Sequence, residues 1–352
     1  MDLSHRSVLL EATVSALIAP RFKARRWAVP DPSTSAAEGV YVDATFGRGG
    51  HSRYLLQFLA PTARLVVFDK DPEAIRHAHA LAAQDPRVLV CHDGFEQLAL
   101  HLDRLALPTI NGIMMDLGVS SPQLDDAQRG FSFMREGPLD MRMDNSTGPT
   151  AAQWLATADQ DQIQEVIADY GEERFAFQIA KAITTRRQSR PLQTTLDLAE
   201  LVASTVRTRE KNHHPATRTF QAIRIFLNRE LQELQAALPV ILSRLAPQGR
   251  LAVISFHSLE DRIVKQFIAA ATNPAAPYAR LPMLPQQVPA PWLDNLGRLL
   301  PSAADIQQNV RARSAVLRVA QRTFEPLESN WQDQLAHASQ YLASAVATKR
   351  RG

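Results

Sequence analysis

The chain has 352 residues, 45% of them apolar and 21% charged, which excludes a disordered protein and leaves room for a large core plus a second domain or a sizeable insertion. A formal net charge of only +3 excludes a uniformly basic protein and directs attention to local clusters of arginine. Cys91 is the only cysteine, so a disulfide framework and a cysteine-rich metal site are excluded, a reducing cytoplasm is expected, and neither an export signal over Met1 to Leu10 nor a membrane span is legible.

Taken in chain order, Arg21 to Ala37 reads as an exposed loop, because its arginines run into Pro30-Asp31-Pro32-Ser33. From there short apolar runs alternate with helical patterns. Strands are expected at Val40 to Phe46, Ala63 to Lys70, Arg87 to Asp93 and Gly112 to Gly118, with helices at Gly50 to Ala60, Pro72 to Ala83 and Phe95 to Leu105. Pro72 suits a first helical turn, and the order is that of parallel βαβ units. Past Asp125 the alternation stops, and Thr150 to Thr205 is helical with no convincing strand. It resumes with a long helix over Thr219 to Leu245, a strand from Arg250 to Phe256, a helix from Leu259 to Ala271 and a late strand from Ser314 to Gln321. Asn273 to Pro301, rich in proline and alanine, reads as irregular. The economical fold is a doubly wound α/β sheet interrupted by an all-helical insertion. Residues 1–125 and 219–324 form the α/β part, 126–218 the insertion, and 325–352 a tail.

The first strand ends in Asp43 and runs into Gly47, Gly49, Gly50 and His51, a turn in which glycine lets the backbone approach a ligand closely. The same turn also serves dinucleotides or simply reverses the chain. The second strand ends in Asp69, placed to hydrogen-bond ribose hydroxyls or to cap a helix. After the third comes Phe95, suited to stacking on an adenine or to the core. The fourth ends in Asp116. The spacing Gly47-x-Gly49-Gly50 differs from the Gly-x-Gly-x-x-Gly of dinucleotide sites. This disfavours NAD and favours a nucleoside cofactor without a pyrophosphate, S-adenosylmethionine being the expected one.

Beyond these strand ends, several longer strings carry a family resemblance: Ser4 to Leu10, Asp43 to His51, Asp116 to Asp125, Arg129 to Phe133, Pro138 to Asp144, Gly171 to Arg174, His214 to Gln221 and Ser255 to Arg262. Together they resemble the bacterial 16S ribosomal RNA cytosine-N4 methyltransferases, the RsmH (MraW) family, over nearly the whole chain. The resemblance implies a class I, Rossmann-like methyltransferase sheet and transfer of a methyl group from S-adenosylmethionine to the N4 of a cytidine in the decoding region. It also implies cofactor contacts from Gly49, Gly50, His51, Asp69, Phe95, Asp116 and Gln123, and an RNA-recognition role for the insertion. Arg21 to Ala37 and the stretch after Phe324 depart from the compact family pattern.

The N4 lone pair of cytosine is delocalised into the ring, so transfer needs hydrogen-bond acceptors for the amine more than a strong base. Asp116 is the foremost candidate, followed by Ser120 in Ser120-Ser121-Pro122. Asp116 could equally cap the next helix, and the usual Asn/Asp-Pro-Pro-aromatic string is missing. His257, after the fifth strand, either faces the base or a phosphate or is a packed histidine. No set of histidines has a metal-ligand spacing, so no metal is expected. Positive charge gathers at Arg174, Lys181, Arg186, Arg187 and Arg190, then Arg207, Arg209, Lys211, Arg218 and Arg224, with a second cluster at Arg311 and Arg313. These clusters fit phosphate contacts in 16S ribosomal RNA of the small subunit or else a solvated helix face. Another nucleic-acid amino-methyltransferase and a non-catalytic assembly factor are the competing readings, and the sequence leaves open a homodimer.

Overall fold

The computed structural model describes residues 7–33, 35–206, 214–279, 281–282, 284 and 288–349. They fall into two compact units, one made of 1–118 with 232–352 and the other of 119–231.

The first unit is built on strands β1 (Val40–Asp43), β2 (Arg64–Asp69), β3 (Val88–His92), β4 (Ile110–Asp116), β5 (Leu245–Ser255), β6 (Leu293–Leu299) and β7 (Val316–Arg322). Their order across the sheet is β3-β2-β1-β4-β5-β7-β6. The first five are parallel, whereas β7 and β6 run antiparallel. The helices of this unit are α1 (Leu10–Ile18), α2 (Gly50–Leu56), α3 (Pro72–Ala82) and α4 (Leu98–Arg104), then, beyond the second unit, α11 (Glu230–Arg244), α12 (Ser258–Thr272), α13 (Ala303–Gln308) and α14 (Trp331–Lys349).

Alternation along the strands explains the layering. Val42, Val66, Phe68, Ile113, Met115, Leu251 and Val253 face a core shared with α4, α11 and α12. Their neighbours Tyr41, Leu65, Val67, Met114, Ala252 and Ile254 face a second core shared with α1, α2 and α3. A sheet covered on both faces needs near-continuous apolar strands, and Leu65 to Phe68 is one, each residue being 0% exposed. Truncating Phe68 to alanine would cost roughly 3–5 kcal/mol. Strand order reverses between β1 and β4, so a crevice opens at the carboxyl ends of these strands, where doubly wound sheets bind ligands.

The second unit holds α5 (Ser121–Asp125), α6 (Ala151–Thr157), α7 (Gln160–Gly171), α8 (Ala176–Arg187), α9 (Thr195–Thr205) and α10 (Thr217–Leu227). It has its own core, in which Ile163, Ile167, Ile179, Ile183, Leu198 and Val202 are each 0% exposed. The ring pairs Trp154/Phe226 and Phe133/Phe220 lie 4.8 Å apart. Reciprocal capping boxes at Ser120/Gln123, Thr150/Gln153 and Thr194/Asp197 start three of its helices.

Four sequence expectations change. The insertion spans 119–231, wider than 126–218, because α10 packs on α7 within the helical core. The long helix over Thr219 to Leu245 is two helices, broken where Arg229 takes φ +53°. The Asn228 side chain holds that break by donating to the Met141 carbonyl, at 2.8 Å, and accepting from the Met143 N–H, at 2.6 Å. The expected irregular stretch Asn273 to Pro301 contains β6, a half-exposed strand whose sequence LDNLGRL lacks an apolar run. The expected tail carries α14, which contributes Leu335 and Ala338 to the first core.

Candidate active site

The turn after β1 is shaped by backbone geometry and by two carboxylates. Gly49 takes φ +75°, a conformation that L side chains rarely adopt, and α2 begins at the next residue. Asp69 accepts the Gly47 N–H on Oδ2, at 2.7 Å, and the Asp71 N–H on Oδ1, at 2.9 Å. It thereby fixes the loop, with the Lys70 N–H as a third backbone donor. Asp43, 2% exposed, accepts from the Ser52 hydroxyl at 2.6 Å and from the Thr45 N–H at 3.2 Å. The Thr45 hydroxyl in turn accepts the Asp116 N–H at 2.6 Å, which ties the end of β4 to the loop after β1.

His51 is buried in this loop. Its Nε2 lies 3.1 Å from the Val8 carbonyl, so Nε2 carries the proton and Nδ1 faces Asp116 Oδ2 at 3.8 Å. Burial pulls the imidazole down to about 4 despite that carbonyl, and the ring is neutral at physiological pH. The other oxygen of Asp116, Oδ1, is buried and has no hydrogen-bond partner among the described residues. Burial, with Asp43 and Glu260 as nearby like charges, pushes the Asp116 carboxyl up to about 8. Burial likewise raises Asp43 and Asp69 to about 6. Three carboxyl groups destabilised together at one sheet edge favour the arrival of a cation. These residues fit a cationic nucleoside such as S-adenosylmethionine: acceptors for its hydroxyl and amine protons, negative charge for its sulfonium, and a backbone turn it can approach.

The remaining expected site residues have more local duties. Phe95 is 9% exposed and packs in the sheet core. Ser120 and Gln123, both in the helical unit, close the α5 cap on each other, with Ser120 N–H donating to Gln123 Oε1 at 2.8 Å and Gln123 N–H to Ser120 Oγ at 3.4 Å. His257 precedes α12 with Nε2 3.1 Å from the buried Glu260 Oε1. Arg187 donates from Nη1 to the carbonyls of Leu155 and Ala158, each at 2.7 Å. Arg218 reaches the Glu172 carbonyl at 3.1 Å. Both arginines hold helix ends, a duty the sequence alone does not show. Arg186 is half-buried on the last turn of α8, while Arg311 and Arg313 are exposed on a 3-10 turn, Val310–Ser314. Arg207, Arg209 and Lys211 lie outside the described residues.

Sequence reasoning missed the pair Lys70 and Glu233, an ion pair beside the cofactor edge in which Glu233, 2% exposed, also accepts the Glu96 N–H at 3.4 Å. A glutamate in the otherwise amphipathic first turns of α11 gave no signal of it.

A sheet that reverses between β1 and β4, ends in two antiparallel strands and gathers a glycine turn with carboxylates at its carboxyl edge defines a class I, Rossmann-like methyltransferase. A family model described as the MraW methylase family matches residues 2–323. Ribosomal RNA small subunit methyltransferase H of Bordetella avium is 60% identical over 333 residues, covering 93% of this chain and 94% of its own. The protein of the same name from Bordetella petrii is 58% identical over 356 residues, covering 99% and 98%. Among solved structures, an rRNA methylase from Streptococcus thermophilus aligns with a TM-score of 0.37 at 12% identity, covering 83% of this chain and 91% of that one. The chain belongs to the MraW methylase family. Among the described residues, no helix is long and apolar enough to cross a membrane.

Proposed function

We propose that the protein transfers a methyl group from S-adenosylmethionine to the N4 of a cytidine in the decoding region of 16S ribosomal RNA, acting on small subunits in the cytoplasm. The observation that carries this reading is the buried, unpartnered Oδ1 of Asp116 at the end of β4, beside the glycine turn. The names of the relatives support the RNA, and the family resemblance supports the base.

S-adenosylmethionine supplies an electrophilic methyl group on a sulfonium. Gly49, Gly50 and His51 would shape its cradle, and Asp69 would accept from the ribose. Asp116 accepts an N–H of the amine, which draws the nitrogen lone pair out of the ring and orients it, and its carboxylate takes up the proton that the nitrogen sheds once it carries the methyl group. Neutral His51, its proton given to the Val8 carbonyl, leaves the charge of Asp116 uncompensated. Positive charge held beside Asp116 opposes the burial that raised its pKa, so the carboxylate form is available at neutral pH.

The test is methyl transfer from labelled cofactor to unmodified small subunits, followed by mass spectrometry of the nucleosides. N4-methylcytidine at one decoding-region position is the expected product. Methyl on adenine N6 would reassign the base, and no transfer to small-subunit RNA would overturn the reading.

A further inference from the structure

The sheet unit also holds a cavity of about 390 Å³, of the size that small ligands occupy. Strand register fixes its place. Val316 of β7 pairs with Ser255 at the carboxyl end of β5, and Leu299 at the end of β6 pairs with Leu317. The β6–β7 connection, with α13 and the 3-10 turn, therefore leaves from and returns to the edge that carries Asp43 and Asp116. One wall of the cavity comes from this connection and the other from the start of α1, with Trp27 adding an aromatic ring.

The α1 wall is anchored to the cofactor loop. The Val8 carbonyl takes the His51 hydrogen bond at 3.1 Å. The Ser7 hydroxyl, which lines the cavity, lies 2.1 Å from where a Cβ on Gly50 would stand. The lining joins Trp27, Val8 and Leu299 to Glu11, Asp305 and Gln308, and Asp305 Oδ2 accepts the Ser302 N–H and hydroxyl that cap α13, at 2.8 and 2.7 Å. Outside, polarity is reversed: Ala312 lines the cavity, and Arg311 and Arg313 on either side of it are exposed.

We propose that this cavity receives one unstacked base of the RNA, a neighbour of the methylated cytidine, and reads it for an exocyclic amine. Trp27 supplies the stacking face, since every base has one. Carboxylates inside accept an amine, as they do from cytosine N4, and disfavour a uracil. The two arginines at the rim receive the adjoining phosphates. Acceptors within and cations without match the polarity of a nucleotide. This inference rests on the proposed RNA substrate.

The test compares wild-type protein with Trp27→Ala, Trp27→Phe and Gln308→Ala on unmodified small subunits, and maps ultraviolet cross-links from Trp27 to the RNA. Trp27→Ala should raise KM for the subunit about tenfold, with kcat and the Kd for S-adenosylmethionine within about twofold. Trp27→Phe should restore most of the loss, and the cross-link should fall within a nucleotide or two of the methylated cytidine. A merely structural Trp27 would shift cofactor Kd together with KM. Unchanged KM in the alanine variants, or a cross-link remote from the target, overturns the cavity assignment. Wild-type protein that methylates no small-subunit RNA would instead defeat the substrate reading itself.

Discussion

The two units differ in where their polar side chains concentrate. In the helical unit a set of them serves the fold itself: three reciprocal capping boxes start helices, while Trp154 Nε1 and Thr219 Oγ1 are buried without a hydrogen-bond partner among the described residues. Arg187, Arg218 and Asn228 close helix ends and breaks, and Arg142 grips Asp140 with two nitrogens, at 2.8 and 2.7 Å. In the sheet unit, Asp43, Asp69 and Asp116 stand at one edge with raised pKa values, and one Asp116 oxygen has no partner among the described residues. Polar groups satisfied at home stabilise a fold, whereas charge held at low dielectric without a counterion marks where a ligand contributes.

The contrast is tested most severely at Asp116. Asp116→Ala should lower methyl transfer roughly 10²–10³-fold, the loss expected for one aimed electrostatic group, while circular dichroism stays unchanged. A carboxyl raised from 3.8 to about 8 is penalised increasingly as pH climbs through that window. Asp116→Asn should therefore raise the Tm of the cofactor-free protein at pH 8 and leave it nearly unchanged at pH 4. A lower Tm at pH 8 would make Asp116 a structural group like those of the helical unit.

Cofactor affinity should carry the same signature. Cation binding favours the ionised carboxylates, so the Kd for S-adenosylmethionine should fall as pH rises from about 6 to 8. The steepest slope is about tenfold per pH unit for each proton released. S-adenosylhomocysteine, which lacks the sulfonium charge, should release fewer protons in titration calorimetry. Equal proton counts would break the argument.

Smaller effects separate the arginines of α8. Arg187→Ala should cost roughly 1.5–3 kcal/mol of stability, through two carbonyls left without their charged donor, as read by chemical denaturation. Arg186→Glu should spare stability and reduce the salt slope of RNA binding by about one. An unchanged slope would remove Arg186 from the RNA surface. Smallest of all, Ser120→Ala should cost about 1 kcal/mol, the worth of a helix cap, with kcat retained. A large fall in kcat without loss of stability would return Ser120 to the chemistry.

The sheet edge was legible in the sequence because its signals are local: an apolar run, then a carboxylate or a glycine, repeated at Asp43, Asp69 and Asp116. The helical pattern of the insertion was legible as well. What escaped depends on contacts distant in sequence. Arg187 reads as a free cation until α6 is folded near it, and the break at Arg229 needs Met141 and Met143 as partners for Asn228. The strand β6 escaped because only one of its residues is buried, so no periodicity marks it.

That strand has a consequence for self-association. It ends the sheet, and a sheet's last strand presents unpaired backbone groups on which a second molecule can add its own. Here Asp294 and Arg298 put charge on that margin, and the register shifts between Asn295 and Gly297, where the backbone reaches φ +106°. A bulge with flanking charges twists the margin away from a flat template. β6 is thus built against strand-to-strand polymerisation.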